Sequence, residues 1–214
     1  GVQPVTLVKI CGIRRSADIE ILNELMPDYA GFIFCNSKRK VTVSEAEELI
    51  KKLDISVGKV GVFKNNDVDE VIDAARYLKL DVIQLHGDEN EKYLNCLKAF
   101  NIWKAVHIDV NQGYSEDIVQ KIHSTCKLGI EALLLDSSVK GKRGGTGMSF
   151  NWNVLKNIHI DKKLVLAGGL NSGNIVQAIK IVRPQVVDVS GGVEENGMKS
   201  FKKIKDFIGK VRSI

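Results

Sequence analysis

Short apolar runs alternate along the whole chain with longer stretches whose apolar residues recur at helical spacing. The runs predicted as strands are Leu7–Cys11, Ala30–Phe34, Lys59–Phe63, Val82–His86, Trp103–Ile108, Ala132–Asp136, Leu164–Ala167 and Val186–Ser190. Runs this short and this apolar suit strands covered on both faces, which is the situation of a parallel sheet. Helical patterns at Ala17–Met26, Val43–Leu53, Val68–Leu78, Glu89–Phe100, Ser115–Cys126, Asn174–Ile181 and Phe201–Val211 fill most of the gaps. Ser16 stands ahead of the first of them, and Ser44 with Glu47 has the spacing of a capping box.

Eight strands connected in this way predict an α/β fold, a closed (β/α)8 TIM barrel. A doubly wound open sheet competes, but it usually carries its glycine fingerprint after the first strand, and here the glycines gather late. A length of 214 residues matches one barrel, since single barrels commonly run to about 200–250 residues. No Pro/Ser-rich linker interrupts the chain, so residues 1–214 are expected to form a single domain.

The balance of 44% hydrophobic and 27% charged residues fits a soluble globular protein. The net charge of +5 is spread, with small clusters at Lys38–Lys40, Lys140–Arg143 and the last helix. A nucleic-acid binder more often concentrates such charge on one helix with interleaved aromatics, so an anionic small molecule is the expected partner. Nothing approaches the roughly 18 apolar residues of a membrane span, and GVQPVTLVKI lacks the layout of a signal peptide. Cys11, Cys35, Cys96 and Cys126 show no zinc-type spacing and are expected to be reduced thiols in a cytoplasmic protein.

In a barrel of this kind the carboxyl ends of the strands form the active site, and the predicted strands end on unusual residues. Cys11-Gly12, His86-Gly87, Asp136, Gly168-Gly169 and Ser190-Gly191-Gly192 fall at those ends. The glycines of LAGGL and VSGGV follow strands seven and eight, where barrels frequently bind phosphate through backbone N–H groups. Gly144 and Gly145, in the GGTG loop after Asp136, are expected to complete that ring. Cys35, Cys96 and Cys126 are expected to be small hydrophobes. Cys11 differs, because Lys9 lies two residues earlier on the same strand face and would favour a thiolate, as nucleophile or general base.

Asp136 on strand six would face Cys11 across the mouth, so a substrate between them could gain a proton on one side and lose one on the other. That pairing suits an isomerisation better than a hydrolysis. No nucleophile elbow, HExxH motif or acidic metal cluster is visible, and no metal is expected. His86 is either a pocket-lining hydrogen-bonding residue or a catalytic one. Arg39, in SKRKV, is either a bidentate partner for a substrate carboxylate or part of a solvated basic loop. Lys9 and Asp188 share faces with Cys11 and Ser190 on neighbouring strands, which predicts an ion pair beneath the pocket.

In order along the chain, VKICGI, GFIF with SKRKV, VGVF, IQLHGDE, LLLD, GGTGMSFNW, LAGGLNSGN and DVSGGVE resemble the phosphoribosylanthranilate isomerase family. The resemblance implies a cofactor-free (β/α)8 barrel of tryptophan biosynthesis, monomeric or homodimeric, acting on a phosphosugar by an Amadori rearrangement. It implies Asp136 as the general acid on the furanose oxygen and Cys11 as the general base at ribose C2. Arg39 is implied for the anthranilate carboxylate, and the late glycine loops for the phosphate. The chain departs from the family at Lys38 (commonly Pro), Asn151 (commonly Asp) and Gly191 (commonly Ser), which bears on affinity more than on the acid and base. The enzyme alternative is indole-3-glycerol-phosphate synthase, which would need further catalytic Lys and Glu residues and an N-terminal extension. The non-enzyme alternative is a phosphate-binding barrel.

Overall fold

The computed structural model describes residues 4–139, 142–143 and 147–214. Eight parallel strands form the barrel: β1 (Leu7–Cys11), β2 (Tyr29–Ile33), β3 (Gly58–Phe63), β4 (Val82–Leu85), β5 (Ile102–Asp109), β6 (Ala132–Val139), β7 (Lys163–Leu166) and β8 (Val186–Val189). Each pairs with its sequence neighbours, and β1 closes the ring on β8 with Lys9 opposite Asp188. The helices are α1 (Ser16–Leu25), α2 (Val43–Ile50), α3 (Val68–Tyr77), α4 (Glu91–Asn95), α5 (Glu116–Cys126), α6 (Ile175–Val182) and α7 (Phe201–Arg212). Among the described residues no helix is long and apolar enough to cross a membrane.

The helices start where local chemistry satisfies their free N–H groups. Ser115 accepts from Ile118 N and Ser200 from Lys203 N, both at 3.3 Å. At α2 the cap is Thr42, which accepts from Glu45 N at 3.1 Å, so the expected Ser44–Glu47 box lies two residues too late. At α1 the backbone N–H of Arg15 donates to Asp18, and Ser16 is already helical. Between β6 and β7 the described helix is one 3-10 turn, Trp152–Leu155, so among the described residues this connection holds no α-helix.

Strand parity sorts the side chains into two cores. Val8 and Ile10 point outward into the apolar layer beneath the helices. The opposite parity fills the barrel, where Val60, Val82, Trp103, Ala132, Leu134, Val165 and Val186 pack together and Tyr29 meets Trp103 edge-on at 5.0 Å. Above this plug the interior turns polar. Lys9 is fully buried, donating to Asp188 Oδ2 at 2.9 Å and to Gln84 Oε1 at 2.7 Å. The expected ion pair therefore spans the β1–β8 seam.

Gly31 makes room for this layer. A Cβ there would stand 2.7 Å from Cys11 Sγ and 3.0 Å from Lys9 Cε. Gly31→Ala is expected to destabilise the protein by about 1–3 kcal/mol through overpacking. Urea unfolding together with a turnover assay checks this; an unchanged midpoint and rate would show that Lys9 and Cys11 can move aside freely.

Candidate active site

At the carboxyl ends of the strands opens a cavity of about 730 Å³ whose wall includes Cys11, Arg39, His86, His107 and Asp136. Gly168, Gly169, Ser190, Gly191 and Gly192 belong to the same wall. The sequence therefore placed nearly all its candidates around one opening. Two expected wall residues lie elsewhere. Lys9 is wholly buried below the floor, because its charge is spent on Asp188 and Gln84. Gly12 lies behind the wall, where a Cβ would stand 2.4 Å from Arg39 Cδ. Gly144 and Gly145 lie outside the described residues.

Asp136 is not the last residue of its strand as expected. β6 continues to Val139 because β5 is long enough to pair with it, His107 opposite Asp136 and Asp109 opposite Ser138. The carboxyl group is therefore held inside the barrel mouth. Burial first, and then the negative charge of Asp188, push its pKa up to about 7. A carboxyl group tuned this far holds its proton near neutral pH and can deliver it.

Cys11 faces the same cavity from β1 and is also buried. The expectation of a thiolate favoured by Lys9 holds only for one contribution. Burial first, together with the charge of Asp188, raises the thiol pKa more than Lys9 and Lys199 lower it. The unused thiol is therefore largely protonated, while the cations limit what forming the anion costs.

Arg39 is not solvated, although Lys38 and Lys40 beside it are exposed. Its Nε donates to Glu194 Oε2 at 2.9 Å and its Nη2 to Glu194 Oε1 at 2.5 Å. Lys199 Nζ also donates to Glu194 Oε2, at 3.1 Å, and to Ser190 O at 3.1 Å, and Ser190 Oγ donates to Cys11 O at 3.0 Å. Against the effect of burial, Arg39 and Lys199 pull the Glu194 pKa down to about 2. Glu194 and Lys199 were missed because they come from a two-stranded hairpin, Glu194–Glu195 with Met198–Lys199, that folds back over β8. Asn196-Gly197 marks the hairpin turn, but nothing local says that its strands reach Arg39.

His107 was also missed, although its parity with Ala105 on β5 is readable in the sequence. Its Nε2 lies 3.1 Å from His86 O, and the Nδ1 atoms of His86 and His107 each lie 4.0 Å from Asp136 Oδ2. These three residues are the candidate metal ligands among the described residues, with donor atoms within 4.8 Å of one another. Tetrahedral zinc with bonds of about 2.0–2.1 Å needs donors about 3.4 Å apart, so the set is too wide for that ion as it stands.

Residues 8–210 match the family model described as N-(5'phosphoribosyl)anthranilate (PRA) isomerase. The chain belongs to this family. It is 46% identical over 207 residues to the N-(5'-phosphoribosyl)anthranilate isomerase of Thermoanaerobacter pseudethanolicus, covering 97% of this chain and 98% of that one. Monomers generated from the dimeric Thermotoga maritima isomerase superpose with a TM-score of 0.82 at 32% identity, covering 98% and 100% of the two chains. A second isomerase structure, in complex with reduced 1-(o-carboxyphenylamino)-1-deoxyribulose 5-phosphate, has a TM-score of 0.82 at 31% identity with the same coverage.

The raised Asp136 pKa has a consequence for stability. Between about pH 4 and 7 the folded state binds a proton here that the unfolded state releases, so stability falls as pH rises through that window, by about 4 kcal/mol in all. Asp136→Asn lacks this loss. In urea unfolding it is expected to exceed the wild type at pH 8 by a margin of that order, with the margin closing towards pH 4. Equal pH dependence in the two proteins would refute the raised pKa.

Proposed function

We propose that the chain is a single catalytic domain that isomerises N-(5'-phosphoribosyl)anthranilate to 1-(2-carboxyphenylamino)-1-deoxyribulose 5-phosphate in the cytoplasm. The observation that carries the site assignment is the placement of a proton-holding carboxyl group, Asp136, and a thiol flanked by cations, Cys11, on the wall of one cavity. The four free thiols support the location. The dimeric Thermotoga maritima relative supports a homodimer over a monomer.

The chemistry then divides between two sides. Asp136 gives its proton to the furanose ring oxygen while the C1–O bond breaks, and the nitrogen lone pair closes a C=N bond to form the protonated Schiff base. Cys11, as thiolate, removes the C2 proton; that electron pair forms C1=C2, and the C=N pair returns to nitrogen, giving an enolamine. Loss of the enol proton and protonation at C1 then yield the ketone. Asp136, now a carboxylate, and Cys11, now a thiol, exchange protons with solvent before the next turnover.

Backbone N–H groups of the Gly168–Gly169 and Ser190–Gly192 loops take the phosphate. Gly191 offers no hydroxyl, so its contribution there is backbone only. Arg39 takes the anthranilate carboxylate through the guanidinium N–H groups that Glu194 leaves over. Asp188 Oδ1 is buried without a hydrogen-bond partner among the described residues and belongs to the cavity wall, so it serves as an acceptor for a sugar hydroxyl.

Cys11→Ser and Asp136→Asn are each expected to lower kcat by about 10²–10⁴-fold with the fold retained. The assay is the loss of phosphoribosylanthranilate fluorescence, with circular dichroism as the folding control. Near-wild-type turnover in both variants would overturn the acid and base assignments. Arg39→Ala is expected to raise KM more than it lowers kcat, because it removes a contact made equally in ground and transition states.

A further inference from the structure

Gln84 is a buried side chain of the cavity lining, on β4, two residues before His86 and on the same face. It touches the two sides of the site at once. Its Oε1 accepts from Lys9 at 2.7 Å, and its Nε2 lies 2.5 Å from His86 Nε2. An ammonium group can only donate, so the amide must turn its oxygen to Lys9. The amide NH2 is then aimed at His86, and an NH2 group is a donor only. Two donors cannot face each other, so His86 Nε2 must carry the lone pair and its proton must sit on Nδ1.

That proton is on the side that matters. His86 Nδ1 lies 4.0 Å from Asp136 Oδ2, and both residues belong to the cavity wall. At this separation the two groups do not bond to each other, and an oxygen of a bound molecule can lie within hydrogen-bond reach of both. The charge state agrees with the geometry: burial, His107, Lys9, Lys104 and Lys64 all oppose a second proton on His86, so the ring is neutral.

His86 also anchors its neighbour: His86 O is an acceptor only, so His107 Nε2 must donate to it at 3.1 Å, while His107 Nδ1 lies 4.0 Å from Asp136 Oδ2.

We propose that Gln84 is a positioning residue that locks His86 in its Nδ1–H tautomer, so that a ring N–H stands beside Asp136 as a hydrogen-bond donor to the sugar oxygen being protonated. This rests on the assignment of Asp136 as the acid. It also ties the two sides of the reaction together, because the lysine that orients Gln84 is the one flanking Cys11.

The test starts with the wild-type protein labelled with 15N-histidine. Long-range 1H–15N correlation spectra, assigned with His86→Asn, are expected to show His86 protonated at Nδ1 and bare at Nε2 near neutral pH. Gln84→Glu keeps the size and the contact with Lys9 but replaces the donor with an acceptor. In it the proton is expected at Nε2. The ring is expected to titrate at higher pH than in the wild type, because a carboxylate now joins Lys9, Lys64, Lys104, His107 and Asp136 around it. Its kcat is expected to fall about tenfold, with KM within about twofold.

A wild-type ring protonated at Nε2 overturns the proposal, as does a Gln84→Glu variant that keeps the Nδ1–H form. If Gln84→Glu does not fold, Gln84→Met removes the donor without adding a charge, and both tautomers are expected to populate. Retained Nδ1–H exclusivity there would equally refute the lock. An Nδ1–H ring together with full turnover by Asp136→Asn would instead refute the acid assignment while leaving the tautomer lock standing.

Discussion

A lysine with no exposed surface sits at the centre of this barrel. Lys9 is held by Asp188 at 2.9 Å and by Gln84 at 2.7 Å. Burial opposes its charge, yet Asp188 and Cys11 hold its pKa above the ordinary value. Removing one partner of such a pair strands the other charge and typically destabilises by about 3–5 kcal/mol. The pair crosses the seam where β8 meets β1, so the contact that settles Lys9 also joins the two ends of the sheet. Everything above it inherits a fixed cation: the thiol of Cys11, the amide of Gln84 and, through that amide, the ring of His86.

The side of the proposed acid is built on the opposite tactic. Among the described residues no lysine or arginine is bonded to Asp136; burial and the charge of Asp188 hold its proton on. Asp188 thus acts twice, neutralising Lys9 with one oxygen and discouraging ionisation of Asp136 by its charge. The third group of charges, two cations to one carboxylate, is locked together over the β8 end, with Arg39 and Glu194 on the cavity edge and Lys199 buried behind them. Such an edge suits a substrate with a carboxylate and a phosphate.

Much of the site was legible because a strand has a period of two. Lys9 and Cys11, Gln84 and His86, and Asp188 and Ser190 are polar or reactive pairs two residues apart within apolar runs, so each pair had to share the barrel interior. His107 obeyed the same rule with Ala105 and could have been found by it. Glu194 and Lys199 could not. They reach Arg39 through a hairpin whose Asn-Gly turn is readable in EENGMK, but the contact with a residue 155 positions away is not. The length of β6 was hidden for a similar reason, since Ser137 and Ser138 look like loop residues until β5 supplies their pairing partners.

From residue order and spacing alone came the barrel, the rim that carries the candidate site, the candidates Asp136 and Cys11 on it, and the Lys9–Asp188 pair. Each follows from local periodicity combined with the closure of one sheet. Ionisation and orientation required the folded molecule. The proton held by Asp136, the thiol whose burial outweighs its neighbouring lysine, the engagement of Arg39 with Glu194 and the tautomer of His86 depend on desolvation and on distances between residues far apart in the chain. A sequence lists those groups without saying how much water surrounds them or which atom faces which.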